Sequence, residues 1–511
     1  VLDALTDATG NTAIGESAGS AITTGDDNVA VGANALDANT TASNNTAVGK
    51  AALGANTTGD VNVGVGSLSL DANTTGSSNV AVGVHSLGNN TTADGNTAVG
   101  HSVMIANTTG ANNVAIGQLA LDANTTASNN VAVGGAALTT NTTGTRNTAV
   151  GAGALFDSTT ANDNTAVGYD CLLRNTTGEY NVAMGTSALD ANTTADGNTA
   201  IGFGTLTDNT TGANNTALGL NSLANNTTAN SNTAVGTNSL VANTTGADNV
   251  AVGRNAYDAN TTGHSGVAIG ESSLTTNTTG LRNVAVGQNC MAVNTTGAEN
   301  VAMGRNALDA NTTASNNVAI GDSALTLATT AAKNTAIGSG AGASVTTGGF
   351  NVLVGIDSGD TLTTGDTNIL IGNTARTSSA SGSNQISMGV VVTCVGDDNF
   401  TFGNQGTDSN IAFGATSITA PSDIRLKEDI QDEEVGLDFI NDLRPVTFLW
   451  KKEKDIPSEM KAYKEGSEER TMNGKYNHGF IAQEVKEVID NHNLKEGFDM
   501  WQEDEADGRQ R

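Results

Sequence analysis

"NNTAVGKAALGANTTG" runs from Asn44 to Gly59, and close copies of it fill most of the 511-residue chain. The glycine that closes each "NTAVG" sits at Gly15, Gly32, Gly49, Gly66, Gly83 and Gly100, and the series continues to Gly389. From 15 to 389 is 22 steps of 17, so there are 23 copies without an insertion. A constant period of this length signals stacked structural repeats and displaces the usual inference from chain length to several globular domains. Composition agrees: 62 Gly, 3 Pro and 3% aromatic residues are poor material for a conventional core.

Each column of the repeat has its own chemistry. One residue before the glycine stands Val, Ile, Leu or Met, as at Val31, Val48, Ile116, Met184 and Leu218. Three before it stands Thr or Val, and between them usually Ala, as at Ala30 and Ala47. Period-two alternation marks a strand. Four residues after the glycine comes Leu, as at Leu36, Leu53 and Leu87, with Tyr257 and Met291 as replacements. "NTTG" or "NTTA" then reads as a turn. Ala42 and Ala93 show that its last position does not demand glycine.

Equal columns at equal spacing predict coils stacked in register in a parallel β-solenoid, an all-β fold. The branched residues and leucines, Val48 and Leu53 in this copy, are expected to form its core. The small Ala face is expected to meet another surface, as in three chains around an axis. Asn four residues before the glycine (Asn28, Asn45, Asn62, Asn79) is expected to stack as an amide ladder, with Gly266 and Gln385 as departures. At about 4.7–4.8 Å per coil the rod would be roughly 110 Å long.

The formal net charge is −30. Up to Pro421 there are 8 basic and 29 acidic residues, and from Ser422 onward 14 and 23, giving −21 and −9. Both parts are acidic, so neither suits a phosphate backbone, and no nucleic-acid partner is expected. No stretch is apolar enough for a membrane span. Cys171, Cys290 and Cys394 form neither a disulfide framework nor a zinc pattern, and Cys171 and Cys290 fall where most copies carry Ala or Ser. They read as small buried residues. No metal and no cofactor is implied. Scattered Asp (Asp37, Asp60, Asp94) is unlike a calcium β-roll. "NTT" also fits a glycosylation sequon, as at Asn39, Asn56 and Asn107, but reads as a turn copied with its repeat. An ice-binding reading of the Thr pairs is set aside, because adjacent residues on a strand point to opposite faces.

The repeat spans 1–395. A strand-rich neck with Phe400, Phe402 and Phe413 is expected over 396–421, and from Ser422 the composition becomes charged and mixed. "VGLDFINDL" (435–443) has helical spacing, "PVTFLW" (445–450) reads as a strand, and "HGFIAQEVKEVI" (478–489) starts a helix with His478 near its beginning in a structural role. A small α+β domain over 422–511 is expected.

The shaft motif resembles the repeats of phage tail-fibre shafts and the β-roll heads of trimeric autotransporter adhesins. The segments "SDIRLKEDI", "GLDFINDLRPVTFLW" and "HGFIAQEV" resemble, in order and spacing, the C-terminal intramolecular chaperone auto-processing domain of phage tail fibres and endosialidase-type tailspikes. The resemblance implies a homotrimeric virion fibre that engages a host receptor or glycan. It also implies a chaperone that acts as a single-turnover serine peptidase on itself. Ser422 would be the nucleophile, Lys427 its base, Pro421–Ser422 the scissile bond, and Asp423 and Arg425 supporting groups. Read without the resemblance, Ser422 is equally a helix N-cap and Lys427 a solvated helix residue. Two other readings follow from the same residues: a bacterial surface adhesin, and a tailspike glycan depolymerase, for which the unbroken register leaves no inserted domain. Val1 falls in mid-pattern, and "DMWQEDEADGRQR" (499–511) lacks the family's following long helix, so the sequence is expected to be cut at both ends.

Overall fold

Each 17-residue repeat closes one coil. Its three-residue strand pairs in parallel with the equivalent strand of the next coil. In the quoted copy, β3 (Thr46–Val48) meets β4 (Val63–Val65) with Thr46 opposite Val63, Ala47 opposite Gly64 and Val48 opposite Val65. The same register runs from β1 (Thr12–Ile14) to β23 (Ile386–Val390), one strand per coil. The computed structural model describes residues 4, 6–415, 436–458, 462–470, 474–492 and 494. The chain divides into two units, Val1–Pro421 and Ser422–Arg511.

Backbone groups outside the strands also pair from one coil to the next, between residues 16 to 18 apart. The Leu53 N–H donates to Ser69 O at 2.9 Å and the Thr57 N–H to Thr74 O at 2.9 Å. Glycine at the strand end is needed for two reasons. Gly49 has φ +137°, a region closed to residues with a Cβ. A Cβ there would also lie 2.4 Å from the Gly66 carbonyl oxygen of the next coil. The "NTTG" glycine is different: Gly59 is not in the left-handed region, in keeping with the alanines found in that column.

The core lies on the opposite strand face from the one expected. Ala47, Ala52 and Leu53 are fully buried, whereas Val48 is only partly buried and points outward. The reason is the thinness of one coil. A Cβ on Gly64, the middle position of β4, would stand 3.4 Å from Leu53 Cγ. There is room for a methyl group between the strand and the leucine, and no more. Near the end of the rod the sizes exchange. Leu353 and Leu370 take the middle strand position, and Gly342 and Gly359 take the leucine column. A Cβ on Gly342 would be 2.6 Å from Leu353. Volume across the coil is conserved while its distribution is inverted. The small alanines therefore fill the coil's own interior, and they do not invite a neighbouring chain.

The asparagine ladder is present. The Asn45 N–H donates to Asn28 Oδ1 at 3.0 Å, the Asn62 N–H to Asn45 Oδ1 at 2.9 Å, and Asn62 Nδ2 to Gly76 O at 2.8 Å. A second buried ladder was not anticipated, and it consists of the Asn of "NTT". Asn56 Nδ2 donates to Asn39 Oδ1 at 3.1 Å and to Gly59 O at 3.0 Å. These sequon asparagines are fully buried, and all but Asn141 and Asn311 have both amide ends committed to neighbours, so the folded rod offers none of them for modification. Near-constancy of the column was the available signal. The Thr pairs lie in a bend and not in a strand, so the alternation argument used against ice binding does not apply to them.

Where the second ladder loses a rung, a buried acceptor is left over. Ser158 and Ala328 stand in place of Asn, and the Oδ1 atoms of Asn141 and Asn311, one coil earlier, have no partner. Tyr257 and Gly266 explain each other. Tyr257 is fully buried, and a Cβ on Gly266 would lie 2.6 Å from its ring. The Tyr257 hydroxyl donates to Gly280 O at 3.2 Å and accepts from Asn277 Nδ2 at 3.2 Å. Loss of the Asn side chain at 266 makes the space that the ring fills. All three cysteines are buried, and burial pushes the thiols of Cys171 and Cys290 up to about 12.

After β23 the step shortens. β24 (Asn399–Asn404) pairs in parallel with β23, Phe400 opposite Ile386, and β25 (Ser409–Ala412) then pairs antiparallel with β24. Phe400 and Phe402 sit with centroids 5.0 Å apart. An antiparallel strand ends the stacking direction, so the last parallel edge is paired. In the second unit α1 (Leu437–Asp442) packs on α2 (Ala482–Asn491) through Phe439, Val485 and Ile489. β26 (Val446–Phe448) pairs antiparallel with β27 (Asn477–Gly479). His478 lies on β27 opposite Thr447, and the helix starts four residues later than "HGFIAQ" suggested.

Two outcomes test this packing. Ser158→Asn should complete the ladder between Asn141 and Asn175 and stabilise the chain by about 1–2 kcal/mol, read as a raised urea midpoint. Gly266→Asn and Tyr257→Leu should each destabilise by about 1–3 kcal/mol, through overpacking and a void respectively. Their double variant should recover most of that loss; additive losses would show that the two positions are not coupled.

Candidate functional site

The residues that carry the expected chemistry, Pro421, Ser422, Asp423, Arg425 and Lys427, lie outside the described residues. What can be built upward is the unit in which Ser422 and its neighbours sit. Among the described residues its core is Phe439 with Val485 and Ile489, and Leu443, Val488 and Leu494 pack against it. His492 stands edge-on to Phe439, centroids 5.5 Å apart at 84°, and its Nε2 lies 2.9 Å from Asp442 Oδ2. That contact ties the last turn of α2 to the end of α1.

Charged groups hold the connections. Arg444 pairs with Glu484 of α2 through both guanidinium nitrogens, with Nε donating to Oε2 at 3.0 Å. Lys452 and Lys454 both reach Glu468, and these two ammonium groups hold its carboxyl well down, at about 2. Glu453 accepts from Ser467 Oγ at 2.8 Å and from Lys464 Nζ at 3.0 Å, which lowers its acidity range too. Apart from Glu453 these groups are largely exposed, so the pairs order the chain path more than they stabilise it. His478 Nδ1 sits 3.3 Å from Thr447 Oγ1 across the two-stranded sheet. This exposed side-chain contact fits a structural histidine. Among the described residues no group of His, Cys, Asp and Glu could hold a metal ion. Among them, too, no helix is long and apolar enough to cross a membrane.

The shaft carries one feature that the repeat does not explain. Six aromatic residues occur before residue 395, and four of them, Phe156, Tyr169, Tyr180 and Phe203, fall between 156 and 203. Tyr257 is a core residue, and Phe350 has the Lys333 ammonium 4.8 Å from its ring centre. Tyr169 and Phe203 are 59% and 60% exposed. They share one column two coils apart, about 9.5 Å along the axis. Next to Tyr169 is an open recess of about 440 Å³ lined by Ala152, Gly153, Phe156, Asp157 and Asp170. Small residues at 152 and 153 make the space, and rings and carboxylates border it. Such a surface can stack on the apolar face of a sugar ring while the carboxylates accept from its hydroxyls. Sequence reading missed the cluster, although the aromatic count alone would have shown it.

A family profile described as chaperone of endosialidase (Peptidase_S74) matches residues 422–494. The match begins at Ser422 and takes in both helices and both strands of the second unit as far as Leu494. No curated protein and no solved structure matches the chain. A 17-residue β-solenoid followed by a segment similar to the chaperone of endosialidase fits a tail-fibre-like protein.

Proposed function

We propose that this chain is the shaft of a phage tail fibre or related virion appendage used in host attachment. In this reading it assembles as a homotrimer under a C-terminal chaperone that then cuts itself off. The observation that carries the reading is the order of parts: an uninterrupted repeat, then a chaperone-type match whose first residue is Ser422. A division of the chain between Pro421 and Ser422 supports it as well.

The reaction needs a base for a weakly acidic hydroxyl. Lys427, as the neutral amine, takes the proton from Ser422 Oγ, and the oxygen attacks the Pro421 carbonyl carbon. The peptide C–N bond breaks and the Ser422 nitrogen takes up the proton. Water then hydrolyses the ester and leaves Pro421 as a new C-terminus. A lysine can act so only if burial or nearby positive charge lowers its pKa, and Arg425 is the neighbouring cation in the motif. One cut per chain is a single turnover, with no metal or cofactor required.

For attachment, the recess beside Tyr169 supports a glycan receptor, since Tyr169 and Phe203 are large exposed rings with no packing task in the coil. The match to a chaperone segment favours a fibre over a surface adhesin.

Two measurements test the proposal. On a denaturing gel the natural chain should yield a product ending at Pro421, whereas Ser422→Ala and Lys427→Ala should stay full length. Persistence of the same cut in both variants would remove the assignment. On an array of bacterial surface oligosaccharides, Tyr169→Ala and Phe203→Ala should each lower binding by about tenfold, the worth of a well-placed aromatic contact of about 1–1.5 kcal/mol. Unchanged binding in both variants places the receptor surface elsewhere, and released reducing ends would make the chain a depolymerase.

A further inference from the structure

We propose that the outward face of the strands is the seam along which further copies of this chain lie, parallel and in register. The inference rests on the reading of the chain as a multi-chain shaft and names the surface that would join the chains. The column one residue before the repeat glycine is apolar in all 23 coils, from Ile14 to Met388. Its side chains point away from the core: Met184 is 42% exposed, Leu218 45% and Met303 42%. The companion column is Thr, Val or Ile, and none of the 23 strands contains a charged residue.

Parallel pairing without a slip stacks these residues into an unbroken stripe. With coils about 4.75 Å apart and a strand about 10 Å long, the uncharged stripe measures roughly 100 by 10 Å, or about 1,000 Å², and it is apolar except at the 9 threonines of the companion column. A soluble single chain rarely leaves more than a few hundred Å² of continuous apolar surface bare. About 800 Å² per partner is a normal stable interface. The stripe is therefore large enough to need a cover and to hold one.

What covers it must present apolar groups at the same axial rise over the whole length. A second copy of this chain does so, rung against equivalent rung. Charge leads to the same occupant. The first 421 residues carry a net −21, so two rods repel on average, and the strand face carries no charge to oppose a close approach. The small alanines cannot serve instead, because they are buried against their own leucines.

The experiment uses the full chain with one cysteine placed on the stripe. The natural thiols at 171 and 290 are buried and will not compete. Val150→Cys and Val252→Cys stand six coils apart, about 28 Å. Two differently tagged chains are co-expressed and oxidised. Covalent pairs are expected when both chains carry the cysteine at 150, or both at 252. They are not expected when one carries it at 150 and the other at 252. Equal pairing in the mixed sample, or none in any sample, overturns the proposal. Val133→Asp, Val150→Asp and Val167→Asp combined should shift sedimentation to the single chain with an unchanged circular dichroism spectrum. If the aspartates disturb folding, the same three positions as threonine, already common in the neighbouring column, should weaken association with the spectrum intact. Association as strong as that of the natural chain overturns the seam. Cleavage at Ser422 is read on the same samples, so normal cutting without pairing rejects the seam alone, and pairing without cutting rejects the peptidase alone.

Discussion

Every coil must offer the next one the same backbone. That single requirement governs the rest of the shaft. The Gly49 Cα approaches the Gly66 carbonyl too closely for any side chain, and the same contact recurs down the column, as at Gly66 and Gly83. Hydrogen bonds between residues 16 to 18 apart then run from coil to coil through strand, turn and bend alike. A residue inserted anywhere would displace every rung beyond it, which accounts for the absence of insertions over 23 copies. The usual separation into regular elements and tolerant loops does not hold here, because the turns are as tightly paired as the strands.

A coil this narrow cannot rely on a conventional apolar core. Its interior holds one leucine, two small residues and two asparagines. An unpaired buried amide costs about 1–3 kcal/mol, so asparagines are acceptable inside only if each finds a partner in the adjacent coil. Stacking supplies that partner automatically, and the orphaned Oδ1 atoms of Asn141 and Asn311 appear where the series breaks. Toward the end of the rod the second ladder gives way to Ala328, Val345 and Leu362, while Leu353 and Leu370 enlarge the strand side. Polar and apolar solutions to the same cross-section thus alternate within one chain.

The sequence disclosed period, strand position and stacking direction, because these depend only on which columns stay constant. It misplaced the core. Alternation in "TAV" identifies two faces but does not say which one is inside, and the usual preference for burying branched residues pointed the wrong way. The deciding fact is the width of the coil, visible only once Leu53 is seen to lie against the middle strand position. The "NTT" asparagines were read as turn residues because their composition is turn-like, although their constancy carried the correct message. In the second unit helix and strand types were legible, but His478 falls on a strand since its helix begins only at Ala482. The aromatic recess is hidden in the repeat pattern because no column is aromatic throughout: it is made by departures from the repeat.

Those departures also bear on assembly. Connectivity fixes which coil follows which within one chain, but between chains nothing comparable exists. Tyr257 with Gly266 and Leu353 with Gly359, which distinguish their coils, face inward, and the exposed Tyr169 and Phe203 lie outside the strands. The outward stripe is nearly the same from Ile14 to Met388. Two copies slipped by one coil would give up one rung of contact out of 23 and keep the others. The proposed seam would discriminate register poorly, and parallel pairings over long sequence separations also form slowly. The information that sets the register must then come from outside the repeat. The second unit has the right character for that task. Its Leu437 and Ile440 are exposed, and its sequence is non-repeating, so it can match a copy of itself in only one way. In the proposed assembly, stacked coils would hold the alignment along the whole length of the shaft. The proposed cut between Pro421 and Ser422 falls after the last of the 23 coils and would remove none of them.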